Sequence, residues 1–157
     1  MTTDNSPMTQ LIAEHPFCRE LRPQHQQLLT EAAMLKEYPA GEVLFKEGDP
    51  ANRFYIILSG EVLLESEDKD KAPVPIQRIG AGDVLGWSWL FPPYYWHFAA
   101  RAVTDVKVIF FYGTWLRESC ERDHDFGYLM LKRMSEIVIQ RLQSARKRLV
   151  QLEAPPR

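Results

Sequence analysis

The residues of this sequence best suited to hold another molecule lie between Ile79 and Ala102, in IGAGDVLGWSWLFPPYYWHFAARA. Glycines at 80, 82 and 86 are followed by Trp87, Trp89, Phe91, Tyr94, Tyr95, Trp96 and Phe98. Glycine serves where backbone takes positive φ or approaches another group closely, and aromatic rings bring large apolar area, so the stretch suits a loop that wraps a small object. That object is either a ligand or the loop's own side chains. Ser88 and His97 are the only serine and histidine in the stretch, and backbone amides near Gly86 to Ser88 could hold an anion.

Catalytic and metal signatures are missing. No G-x-x-x-x-G-K phosphate loop, G-x-S-x-G elbow or H-E-x-x-H pair occurs. Cys18 and Cys120 stand far apart, outside any metal-ligand spacing, which argues against structural zinc or an iron–sulfur cluster. No nucleophile, base and orienting residue can be assembled, so enzymatic activity is not expected. A net charge of −2 lacks the electrostatic footprint of a nucleic-acid binder. No apolar run approaches the ~20 residues of a membrane span, and MTTDNSPMTQ lacks a basic-then-apolar signal, so the expected home is the cytoplasm.

Around the aromatic stretch, hydropathy patterning predicts four segments. Residues 1–8 form a disordered tail. Residues 9–37 form two short amphipathic helices broken near Pro16 and Pro23, with Leu11, Ile12, Phe17, Leu21, Leu28, Leu29 and Leu35 recurring at three and four. Residues 38–122 are strand-rich: Val43 to Phe45 lies between turn signals, NRFYIILSGEVLLE reads as a tight hairpin at Ser59-Gly60, and SEDKDKAPVP as an exposed charged turn. After the aromatic stretch comes strand Arg101 to Tyr112, then a short helix with Thr114 as its cap. Residues 123–154 form a long helix, capped by Asp123 or Asp125 and ended by Pro155 and Pro156. Its apolar positions Phe126, Met130, Met134, Ile137, Val138, Leu142, Ala145, Leu149 and Leu152 run over about seven turns, some 40 Å, which outgrows a small domain and calls for a second copy as partner. The fold class is mainly β with flanking helices, an antiparallel sandwich or roll.

The succession PAGEVLFKEGDPANRFYIILSGEV, the G-x-G-D-x-x-G run at Gly80 to Gly86 and RAVTD at Arg101 to Asp105 resemble the cyclic-nucleotide-binding domain family over nearly the whole chain. The resemblance implies an eight-stranded antiparallel β-roll (a jelly-roll-like double-stranded β-helix), a phosphate-binding cassette between the sixth and seventh strands, and a long C-terminal helix that often pairs two subunits. It also implies a non-enzymatic signalling role. Family members that regulate transcription continue into a helix-turn-helix; this chain stops at Arg157. The Arg146-Lys147-Arg148 cluster suits the C-terminal end of a helix dipole, so no direct DNA binding is expected.

Binding members of this family carry a glutamate for the ribose 2′-hydroxyl and an arginine for the cyclic phosphate. Aligned through Gly86 and through Arg101-Ala102, those positions fall on Trp87 and Trp96. Hydrogen bonds to charged groups contribute about 1.5–3 kcal/mol each, so losing both costs roughly a hundred- to ten-thousand-fold in affinity. Burying one indole of ~150–250 Å² gains about 4–6 kcal/mol, a comparable amount. If Trp96 faces the pocket, strand alternation turns Arg101 away, and His97 shares Arg101's parity. Pro92 and Pro93 make the segment a rigid loop rather than a helix.

The candidate pocket therefore comprises Gly86, Trp87, Ser88, Trp89, Trp96, His97, Phe98 and Ala99, either filled by its own rings or open as an apolar site for a different ligand. No cofactor is assigned; a cyclic nucleotide is possible but not favoured. The expected partners are a second copy, joined through Met130, Met134, Ile137, Val138, Leu142, Ala145 and Leu149, and a small molecule or another protein. The alternatives are a cyclic-nucleotide signalling protein with a non-standard site, a ligand-free dimeric scaffold, and a haem-sensing variant using His97 or Cys18.

Overall fold

A computed structural model describes residues 7–68 and 70–153. Helices α1 (Pro7–Glu14) and α2 (Pro23–Ala32) precede eight strands: β1 (Met34–Tyr38), β2 (Val43–Phe45), β3 (Arg53–Ser59), β4 (Glu61–Asp68), β5 (Lys71–Gly80), β6 (Val84–Leu85), β7 (Ala99–Ala102) and β8 (Val106–Tyr112). Helices α3 (Gly113–Arg122) and α4 (His124–Glu153) follow. Residues 1–6 of the expected tail, and the prolines expected to end the last helix, lie outside the described residues, while Pro7 and Met8 already belong to α1. Among the described residues no helix is long and apolar enough to cross a membrane.

The strands form two antiparallel four-stranded sheets, ordered β1-β8-β3-β6 and β2-β7-β4-β5. Alternation sorts their side chains. Tyr38, Tyr55, Ile57, Val106, Val108 and Phe110 of the first sheet meet Val62, Leu64, Ala100 and Ala102 of the second in one core. The paired registers Val62↔Ala102 and Leu64↔Ala100 place their side chains on the same face.

Three sequence expectations change here. The segment Ser59-Gly60 is no hairpin: β3 pairs with β8 in one sheet and β4 with β5 and β7 in the other, so Gly60 is the corner where the chain changes sheets. A Cβ on Gly60 would stand 2.2 Å from the Asp105 carbonyl oxygen, so no other residue fits this crossing. The second helix ends at Ala32, and Leu35 lies on β1, where pairing with Ile109 overrides the helical spacing. The charged stretch from Ser66 is less a turn than the end of a long hairpin, with Pro73 and Pro75 on β5, the edge strand, where a missing N–H is tolerated.

The family-like motifs also have structural work. Asp105 accepts the Ala40 N–H at 2.9 Å, tying the PAG turn to the strand end. Asp49 and Asp83 each accept the N–H three residues earlier, from Lys46 at 3.1 Å and Gly80 at 2.9 Å. Two similar Gly-Asp turns thus bracket the run from β3 to β5.

The chain divides into two units, one ending at Glu118 and one beginning at Ser119. In the second, Asp123 accepts the Phe126 N–H at 3.2 Å and is the cap of α4. Gly127 permits a close turn there, because a Cβ would meet the Cys120 carbonyl at 2.7 Å. Thr114 lies inside the first turn of α3 instead of capping it. Helix α4 is about 45 Å long at 1.5 Å per residue. Phe126, Met130 and Met134 are buried, whereas Ile139, Leu142, Leu149, Val150 and Leu152 are exposed.

Candidate functional site

The loop from Gly86 to Phe98 joins β6 to β7. It holds no helix, and its turns include a cis Pro92–Pro93 peptide and Tyr94 at φ 61°. Backbone bonds tether it to the turn before β3: Ala51 N–H to the Tyr94 carbonyl at 2.7 Å, Trp96 N–H to Asp49 at 2.9 Å, and Gly48 N–H to Trp96 at 2.8 Å. From α3, Arg117 donates to the Trp89 carbonyl at 2.6 Å and lies 4.2 Å above the Tyr94 ring.

Those tethers aim Trp96 inward. Its indole is 3% exposed and stacks on Phe45 with centroids 3.7 Å apart and planes 10° apart. Tyr55 and Phe98 lie at 6.4 and 6.1 Å. Gly86 has φ 87°, and a Cβ there would fall 2.1 Å from Cζ3 of Trp96. The bare backbone of Gly86 therefore lets the indole edge sit directly against it. Trp87 is half-buried, packing on Phe98 at 6.0 Å and 60°.

A roll of two four-stranded sheets with this glycine-opened loop between its sixth and seventh strands invites comparison with known proteins. The profile of the cyclic nucleotide-binding domain matches residues 35–123, more than half of the chain. The chain belongs to the cyclic nucleotide-binding domain family. It is 32% identical over 97 residues to a cAMP-dependent protein kinase regulatory subunit of Emericella nidulans, covering 62% of this chain and 23% of that protein. It is 26% identical over 102 residues to a CRP-like cAMP-activated global transcriptional regulator of Mycobacterium tuberculosis, covering 65% and 46%. The chain thus spans less than half the length of either relative. In fold it is similar to a cyclic nucleotide-binding domain from Methylobacillus flagellatus, with a TM-score of 0.82, 18% identity and coverage of 94% and 85%. It is a regulatory domain of the cyclic-nucleotide-binding type.

Within this family's cassette, the structure brings together some of the candidate residues and separates others. Gly86, Trp87, Trp96 and Phe98 converge on the roll interior. Trp89 does not. It is fully buried on the opposite side of the first sheet, 5.5 Å from Phe54, in a cluster with Phe17 and Phe111. Residues two apart in this turn-rich segment diverge because strand alternation stops at Leu85. Ser88 is buried with no partner for its hydroxyl among the described residues, and Ala99 is buried at the start of β7. His97 is exposed on a shallow groove with Glu47, Gly48, Pro93 and Tyr95. Arg101 points out of the core and forms an ion pair with Glu65. Among the described residues, no cluster of three or more His, Cys, Asp or Glu could hold a metal.

Sequence reasoning passed over a cation on the inner face, on the end of β3 that adjoins the cassette loop. Arg53 shares its parity with Tyr55 and Ile57, both core residues, and lies 4.2 Å over the Phe110 ring. The alternation in NRFYIIL was the available signal. Close by, burial raises the Tyr38 phenol far above its ordinary pKa, and Tyr55 adds to the effect while Arg53 opposes it.

Proposed function

We propose that this chain is a non-enzymatic regulatory module whose cassette is occupied by its own Trp96, so that cyclic AMP and cyclic GMP bind weakly or not at all. The observation that supports it is the Trp96 indole, lying flat on Phe45 with its edge against Gly86. The nearest arginine in sequence, Arg101, is engaged with Glu65 on the outer face. A nucleotide would have to displace a buried indole without the two charged contacts that compensate in binding members. Isothermal titration with cyclic AMP and cyclic GMP tests the reading: the expected outcome is no binding tighter than about 100 µM, following from the roughly hundred-fold or greater loss above. Binding tighter than about 10 µM refutes it.

The module acts as a homodimer through the distal half of α4. Met130 and Met134, placed in the dimer stripe by sequence, are already buried within the chain, which leaves Ile137 and Val138 half-buried and Leu142, Ala145 and Leu149 exposed. An isolated surface stripe of that length is what a helix pair covers. Light scattering is expected to give twice the 18.3 kDa chain mass, falling to the chain mass in Leu142→Glu/Leu149→Glu. A monomeric wild type at about 50 µM, a concentration at which even a micromolar dimer is formed, overturns it.

A further inference from the structure

One end of the roll's inner face carries unbalanced positive charge. Arg53 opens β3 opposite Tyr112, with its guanidinium carbon 4.2 Å from the Phe110 ring centroid and 6.0 Å from that of Tyr112. From β1, Lys36 holds Nζ 4.9 Å over the Tyr38 ring. Tyr38 is buried, and its hydroxyl is hydrogen-bonded to Tyr55 and Arg53. Two cations therefore flank one buried phenol. Neither forms an ion pair among the described residues.

That arrangement is incomplete on electrostatic grounds. Stacking on Phe110 removes water from one face of the guanidinium yet accepts none of its five in-plane N–H donors. The Tyr38 hydroxyl meets only part of the guanidinium's fork, and among the described residues no carboxylate pairs with either cation. Beside them the wall is apolar and open: Met34, opposite Phe110 in register, and Tyr112 are 44% and 49% exposed.

We infer that this end of the roll binds an organic oxyanion, its carboxylate or phosphate head held by Arg53 and Lys36, and its flat apolar body on Tyr112 and Met34. The guanidinium fork suits a two-oxygen head, and the lysine adds a point charge. The site uses none of Gly86, Trp87, Trp96 and Phe98, although Arg53 lies on the strand that pairs with β6 just before the cassette loop.

Thermal unfolding and calorimetry on the full chain test it, with phenyl phosphate and benzoate as probes and benzyl alcohol as the uncharged control. Both anions are expected to raise the melting temperature with concentration, and benzyl alcohol is not. Arg53→Gln and Lys36→Gln are each expected to weaken the anions about ten-fold or more, the loss of one charge-assisted contact. Circular dichroism of the unliganded variants establishes that they fold. Tyr112→Ala, a change at a half-exposed position, is expected to weaken phenyl phosphate but not inorganic phosphate. The proposal is overturned if neither anion acts up to about 10 mM, a limit weaker than useful recognition, or if both charge-removing variants bind as the wild type does. Cyclic AMP titration of Arg53→Gln keeps the two readings apart: nucleotide binding that survives this change belongs to the cassette, whereas an anion response lost with it belongs here.

Discussion

Trp96→Ala is the change that most directly interrogates the filled cassette. The indole is almost wholly buried, stacked on Phe45 and bounded by Tyr55, Phe98 and the Gly86 backbone. Truncating a buried tryptophan to alanine costs about 3–5 kcal/mol, because transfer energy is lost and the walls collapse only in part. For a chain of this size each kcal/mol shifts the melting temperature by about 2–4 °C, so a fall of roughly 6–20 °C is expected. The space left behind is apolar, and apolar cavities stay dry and accept apolar guests. Free indole at about ten times its dissociation constant should therefore restore about 1.4 kcal/mol to the variant and nothing to the wild type. Differential scanning calorimetry with and without indole reads both effects. A variant that melts within about 2 °C of the wild type, half the shift that even 1 kcal/mol can produce, refutes the assignment of Trp96 to the core.

Three further outcomes follow from the same geometry. Gly86→Ala forces a methyl to 2.1 Å from Trp96 at φ 87° and is expected to cost about 2–5 kcal/mol by denaturant unfolding; in the Trp96→Ala background only the backbone cost of about 1–2 kcal/mol should remain, a non-additivity of at least 1 kcal/mol. Arg101→Ala leaves Glu65, whose side chain is 9% exposed, without its cation, and should lower stability by about 1 kcal/mol, since the arginine is itself 46% exposed, with no change in any nucleotide titration. The Cys120 thiol is pushed up to about 11 by burial and then by Glu121 and Asp123. The fold therefore favours the neutral thiol, and iodoacetamide labelling at pH 8, followed by mass spectrometry, should run about 100-fold slower than for an unperturbed thiol, accelerating as pH rises toward 11.

Much of the architecture was legible because turns and alternation are local. The glycine–aspartate turns, the strand Val43–Phe45, the two strands about Gly60 and the long α4 leave short-range marks in the chain, whereas the count of eight strands came from the family resemblance. What escaped depended on partners distant in sequence. Ser59-Gly60 has hairpin composition, yet the next strand pairs elsewhere, and only the approach of Asp105 to Gly60 reveals a corner. Leu35 fits a helical spacing until β8 supplies its neighbours. In the site, parity turned Arg101 outward correctly, since it and Ala102 sit on an ordinary strand. Parity could not serve for Trp89, which follows a turn, and it was left unused for Arg53, whose charge reads as surface in any single sequence.

Gly86 is informative because two opposed uses of one backbone geometry meet there. A left-handed glycine without a Cβ is what a bound phosphate needs for close approach, and the same bare surface is what lets the Trp96 ring edge come to a distance no side chain at 86 would permit. The loop is bonded to Asp49, Gly48 and Ala51, and in the proposed reading this scaffold holds a residue in the place of a guest. If the indole is that occupant, stability and ligand access are set against each other at one position: what opens the cavity must also unstack Phe45. Any molecule that enters must then replace the apolar contacts of an indole rather than the charge of a phosphate. That requirement separates the cassette from the Arg53–Lys36 mouth, where the unmet group is an anion. One roll thereby offers two chemically distinct proposals to be probed, one apolar and one cationic.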